Sequence, residues 1–177
     1  MKLHTGAALL CAFACEQVHA VQYLSIEQAQ KALFPEATSF AQEDWVLTAG
    51  QAQEIQKKSG QLPRALHLRV FQAKQGEHPL GYVVLDSVIG KFDLIDYAVA
   101  INADGAVRQL EILTYRESHG FEIRNAAWRA QFAGKTTLSE LQVGHGIANI
   151  SGATLSCTHV TDGVRRIAAT AQVVLHK

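Results

Sequence analysis

Two apolar runs, Phe92 to Ile101 and Ala106 to Tyr115, meet at Asn102-Ala103-Asp104-Gly105, and this arrangement constrains the chain more than any other stretch. Asparagine, aspartate and glycine accept the backbone conformations that a tight reversal demands, so the runs are predicted to fold back on each other as strands. Upstream, Leu66, Leu68 and Val70 alternate with His67, Arg69 and Phe71. Gln75-Gly76 then supplies a turn before Gly81-Tyr82-Val83-Val84-Leu85. Period-two alternation bounded by turns predicts a second hairpin, hence an antiparallel sheet of about four strands. Pro63 and Pro79 fall at the edges of these runs, where a missing backbone donor is tolerated.

Helix signals flank the sheet. Ser25-Ile26-Glu27-Gln28 has the form of a capping box, followed by Ala29 and Leu33 at helical spacing until Pro35 ends the segment. Thr48 with Gln51 repeats the signal for a helix through Ile55 that closes at Lys57-Lys58-Ser59-Gly60. Trp128 and Phe132 lie one turn apart in a short helix predicted from Asn125 to Phe132. The expected class is α+β: one domain, a mostly antiparallel twisted sheet flanked by short helices, with a C-terminal helix.

Sixteen basic and sixteen acidic residues cancel, with no basic run interleaved with aromatics, so neither nucleic acid nor an anionic membrane surface is implied as a partner. Residues 1–20 read as a secretory signal: Lys2, an apolar run from Gly6 to Cys15, and Val18-His19-Ala20 as a cleavage site. The expectation is export, to the periplasm or an equivalent compartment, with residues 21–177 as the mature domain. Acylation at Cys15 and retention of the leader as an anchor are the competing readings. Cleavage would leave Cys157 as the lone cysteine, so no intramolecular disulfide is expected.

The last segment carries the chemistry. Val160, Val164, Ile167, Ala168 and Ala171 recur at helical spacing, with Asp162, Arg165 and Arg166 between them, predicting a helix with one core face and one wet face that begins at or just after Thr154. Before it stands Ile150-Ser151-Gly152-Ala153-Thr154-Leu155-Ser156-Cys157. Ser151 and Thr154 are suitable N-cap residues, Gly152 permits positive φ, and a helix start offers free N–H groups to an anion such as phosphate. By spacing alone a plain capped helix is the competing reading. Cys157 lies on the line of Val160 and Val164, which favours a small buried apolar group over a ligand contact. His145 and Cys157-Thr158-His159 lack the pairing of a metal site, so no structural metal is expected. No nucleophile elbow, Walker loop or dinucleotide fingerprint is present.

Ser151-Gly152-Ala153-Thr154-Leu155-Ser156 resembles the flavinylation motif of the FMN-binding domain found in subunits of the sodium-pumping NADH:quinone reductase and the Rnf electron-transport complex. Tyr115-Arg116-Glu117-Ser118-His119-Gly120, Trp128, Gln131-Phe132 and Gly134-Lys135 match in order the segment preceding that motif, so the resemblance spans roughly residues 81–169. Ser118-His119-Gly120 departs from the family's Pro-Gly-Leu-Gly-type loop.

The resemblance implies FMN joined through its phosphate to the Thr154 hydroxyl. The motif residues would cradle the cofactor, and Glu117, Ser118, His119 and Gly120 would form a loop against the flavin with Lys135 nearby. It also implies a flavin transferase to attach the cofactor and a membrane-associated redox partner for an electron-transfer module. A cofactor-free binding or assembly module of the same fold and a flavin-dependent reductase of a small substrate are the alternatives.

Overall fold

A computed structural model describes residues 21–136 and 138–175, so the leader and its cysteines lie outside the described residues. The elements in chain order are β1 (Val21–Gln22), α1 (Ile26–Leu33), β2 (Ser39–Gln42), β3 (Trp45–Val46), α2 (Ala49–Ser59), β4 (His67–Leu68), β5 (Val70–Gln75), β6 (His78–Ile89), β7 (Leu94–Asn102), β8 (Val107–Tyr115), a 3-10 turn (Phe121–Arg124), α3 (Ala126–Ala130) and α4 (Thr154–Leu175). Among the described residues, six strands form one antiparallel sheet in the order β1-β8-β7-β6-β5-β2, and β3 pairs with β4 apart from it.

The predicted hairpins form, and the structure joins them. β6 and β7 pair over nine residues, from Gly81 opposite Asn102 to Ile89 opposite Leu94, so β7 lies in the middle of the sheet. Ile95, Tyr97, Ala98, Val99, Ala100 and Ile101 are all fully buried. A strand covered on both faces needs apolar residues at every position, which is why this run is continuous rather than alternating. The first hairpin differs from expectation in one respect: the alternation from Leu66 to Val70 breaks at Arg69, and His67 and Leu68 pair with Val46 and Trp45 instead.

Both capping boxes are present. The Ser25 and Thr48 hydroxyls each accept from the N–H three residues on, while the Gln28 and Gln51 side chains bond back to the cap N–H. Gly60 closes α2 with φ of 79°, a left-handed value that suits glycine.

One face of the sheet packs on α1 through Ala29, Leu33, Val83, Ala98, Ala100 and Leu113. The other packs on α4 through Cys157, Val160, Val164, Ile167, Ala168 and Ala171, as the helical spacing predicts. The expectation of a wet outer face on α4 is corrected. Leu47 and Ile55 pack against Ala169 and Val173, so the α2 region covers that side. Arg166 is only 7% exposed as a result. Its guanidinium meets the Asp86 carboxylate at 2.6 Å and the Gln61 side-chain oxygen at 3.0 Å. A second helix laid over α4 turns its polar stripe into a buried ion pair, which amphipathicity alone cannot foresee. No described helix is long and apolar enough to cross a membrane.

Candidate functional site

The segment between α3 and α4 is held from α3. The Trp128 indole N–H donates to the Ala148 carbonyl at 2.8 Å, and the Gln131 side-chain oxygen accepts from the Ala148 N–H at 2.8 Å. Trp128 and Phe132 are buried and meet edge to face, with centroids 5.1 Å apart. Both polar groups of one residue are thereby fixed just ahead of the motif.

Ile150 then packs on the core, and its carbonyl accepts from the Ala153 N–H at 3.0 Å. Gly152 within that turn has φ of 86°, which a residue with a Cβ rarely adopts. α4 starts at Thr154, as predicted, with Ala153 immediately before it. Alanine has no side-chain acceptor to offer the first-turn N–H groups of α4. Ala153, Ser156 and Cys157 turn inward, whereas Thr154 and Leu155 are exposed. The Asn149 carboxamide donates from Nδ2 to Thr154 Oγ1 at 3.1 Å.

A second wall comes from the end of β8. The Tyr115 hydroxyl donates to the His119 carbonyl and lies 3.1 Å from Ser156 Oγ, tying the loop after β8 to the first turn of α4. Burial raises the Tyr115 pKa against the lowering effect of the Ser156 bond, with the Glu117 and Glu122 charges adding to the rise, so Tyr115 stays a neutral donor. Gly120 has φ of 88°, and a Cβ there would stand 2.6 Å from the Tyr115 hydroxyl and 3.1 Å from Ser156 Oγ. Only glycine allows that approach.

The third wall is the turn between β6 and β7. Glu117 Oε1 accepts from the N–H groups of Phe92 at 2.6 Å and Asp93 at 3.0 Å. Partial burial raises the Glu117 pKa, but the N–H groups of Asp93, Phe92 and Lys91 outweigh it, and the carboxyl titrates below its usual range. From the other side, His159 on α4 places Nδ1 2.6 Å from the Ile89 carbonyl and 3.0 Å from the Gly90 carbonyl. A carbonyl only accepts, so that nitrogen carries the proton. The turn is held at both ends.

Together the walls enclose an open pocket of about 470 Å³, with Lys91 and Phe92 on one side, Glu117, Ser118 and His119 on the second, and residues 152–156 on the third. Phe92 is 76% exposed and Leu155 45%, both on the pocket wall. Lys91 Nζ lies 4.8 Å from the Phe92 ring centroid. His119 Nδ1 meets the Ser118 hydroxyl at 2.8 Å.

The structure therefore brings Glu117, Ser118, His119, Gly152, Ala153, Thr154, Leu155 and Ser156 to one cavity. Ser151 lies in the turn outside its lining and Gly120 beneath it, where each shapes backbone rather than wall. Lys135 stands at the opposite end of β8, its carbonyl bonded to the Val107 N–H. The sequence reading missed Lys91, Phe92 and Asn149. Gly90-Lys91 interrupts two apolar runs and signals a turn, but Phe92, being apolar, continues in sequence into the run of the following strand.

A pocket of this size falls in the range that takes small organic ligands. The N–H groups at a helix start and a nearby lysine suit an anionic group, and exposed aromatic and aliphatic side chains suit a flat ring system. A second cavity of about 320 Å³ lies against Arg166 and Asp86, whose charges are already paired. Among the described residues no group of three or more His, Cys, Asp or Glu side chains is placed to hold a metal ion.

Compared with known proteins, residues 90–169 match the FMN-binding domain family. No curated protein matches the chain. The crystal structure of Shewanella oneidensis NqrC aligns over 82% of this chain and 82% of its own, at 15% identity and a TM-score of 0.48.

Proposed function

With residues 90–169 matching the FMN-binding domain, we propose that this chain carries FMN esterified through its phosphate to Thr154 and serves as an electron-transfer module. The observation that carries the reading is the position of the Thr154 hydroxyl: exposed, at the first residue of α4, on the wall of a 470 Å³ pocket. Bound there, the flavin would supply the redox chemistry and the protein its position and surroundings. The phosphodiester would keep a negative charge at the helix start, a contact worth about 0.3–2 kcal/mol. Lys91 would add a positive charge at the rim, and Phe92 with Leu155 would cover apolar ring surface. Glu117 and His159 would hold the Gly90–Asp93 turn, and with it Lys91 and Phe92, in register with the helix.

A dedicated flavin transferase attaches the cofactor in this reading, and a membrane-associated donor hands electrons through the domain to an acceptor. Export by the leader completes it, since a tethered cofactor cannot diffuse away outside the cytoplasm. Coexpression with a flavin transferase, followed by denaturation, tests the linkage. The wild type is expected to fluoresce in the gel and gain the mass of FMN less one water, and Thr154→Val to stay dark and unmodified. A colourless wild type would favour a cofactor-free binding module. N-terminal sequencing of exported protein should begin at Val21, and a sequence beginning at Met1 would make the leader an anchor.

A further inference from the structure

The geometry points to Asn149 as the residue that positions the Thr154 hydroxyl for attachment and then holds the finished linkage, an inference that rests on Thr154 being the esterified residue. Asn149 is fixed by its neighbours rather than by its own side chain. On one side, Ala148 is gripped at both its N–H and its carbonyl by Gln131 and Trp128. On the other, Ile150 is packed on the core and closes the turn to Ala153. The exposed carboxamide is left with one partner among the described residues, Thr154 Oγ1, at 3.1 Å from Nδ2.

The direction of that bond matters. A hydroxyl has one proton and two lone pairs. Asn149 occupies a lone pair, so the proton remains free to leave and the oxygen keeps a defined partner beside the pocket that Thr154 lines. In the attachment step, Thr154 Oγ1 forms a bond to the FMN phosphorus of FAD, and the pyrophosphate P–O bond breaks. The hydroxyl proton passes to a base of the transferase, AMP departs, and no electrons change hands. After the step the oxygen is an ester oxygen that can only accept, and the phosphate beside it is anionic. A donor such as Nδ2 keeps its partner through the whole sequence. A carboxylate at this position would lose its partner and repel the phosphate.

The test uses the full chain with purified flavin transferase and FAD, following initial rates by in-gel fluorescence and intact mass. Asn149→Ala is expected to take up flavin about threefold to tenfold more slowly than wild type, the factor that one hydrogen bond commands. Asn149→Asp is expected to be slower still, with both melting temperatures unchanged because the side chain is exposed. A second measurement needs no flavin. In the cofactor-free chain, the Asn149 side-chain NH₂ resonances should shift in Thr154→Val and return in Thr154→Ser, which restores the hydroxyl. Equal uptake rates in wild type and both variants, or resonances indifferent to Thr154→Val, would overturn the role of Asn149 while leaving the linkage standing. A wild type that takes no flavin at all would overturn the Thr154 reading and this inference with it.

Discussion

The start and the middle of α4 treat polar groups in opposite ways. Thr154 is exposed and lines an open pocket, and its hydroxyl is bonded, among the described residues, to Asn149 alone. Three turns on, Arg166 is buried, bonded to Asp86 and Gln61, and the Tyr97 hydroxyl donates to the same Asp86 oxygen at 2.5 Å. Burial first, and then the Asp86 charge, raises the Tyr97 pKa well above its ordinary value, so that hydroxyl is a permanent donor. The helix is continuous, and what differs is its cover. α2 lies over the second region, whereas the outer side of the first turn lines an open pocket. The same helix is thus a structural member at its middle and an accessible edge at its start.

Substitutions should separate these roles, the buried middle governing stability and the open start governing attachment. The largest effect is expected from Asp86→Ala, which strands the Arg166 charge away from water. Breaking a buried pair in this way costs about 3 kcal/mol, readable as a lower denaturant midpoint, while the protein still folded should label with flavin at the wild-type rate. Slow labelling of that folded fraction would break the comparison. Gly163→Ala follows. A Cβ there would stand 1.8 Å from the Tyr97 hydroxyl, so the tyrosine must move, at a cost of about 2 kcal/mol in the same measurement.

At the open start the balance reverses. Tyr115→Phe removes the bonds to the His119 carbonyl and Ser156, and should cost about 1 kcal/mol of stability while slowing flavin attachment, since it frees the loop from the first turn of α4. The smallest stability effect is that of Glu117→Gln, and it depends on pH. Because the Glu117 carboxyl titrates below its ordinary value in the folded protein, its contribution is present above the unfolded carboxylate pKa and is lost as pH falls through the folded one. Wild type should therefore lose protection of the Phe92 and Asp93 amides in acid, measured by hydrogen exchange, and Glu117→Gln should show less of that pH dependence.

Much of the fold was legible because the signals are local. The two capping boxes, the Asn102–Gly105 reversal and the start of α4 at Thr154 each depend on a few adjacent residues, and each stands where the sequence places it. Burial of Cys157 follows equally from its place on the line of Val160 and Val164. The site was half legible. The motif and the segment from Glu117 to His119 share one pocket, but Lys91 and Phe92 reach it only because β6 and β7 pair with each other, a contact that neither predicted hairpin contains. Lys135, part of the matching segment in sequence, ends up at the other end of β8.

The sequence by itself determined the elements, their caps and the hydroxyl that opens the last helix, because hydrogen-bond geometry and hydrophobic period act over a few residues. Tertiary structure alone decided that Arg166 is buried, that Glu117 grips a turn distant in the chain, and that Asn149 is the partner of Thr154. Those outcomes depend on which surfaces come to cover one another, and covering is a property of the assembled layers that no single stretch encodes.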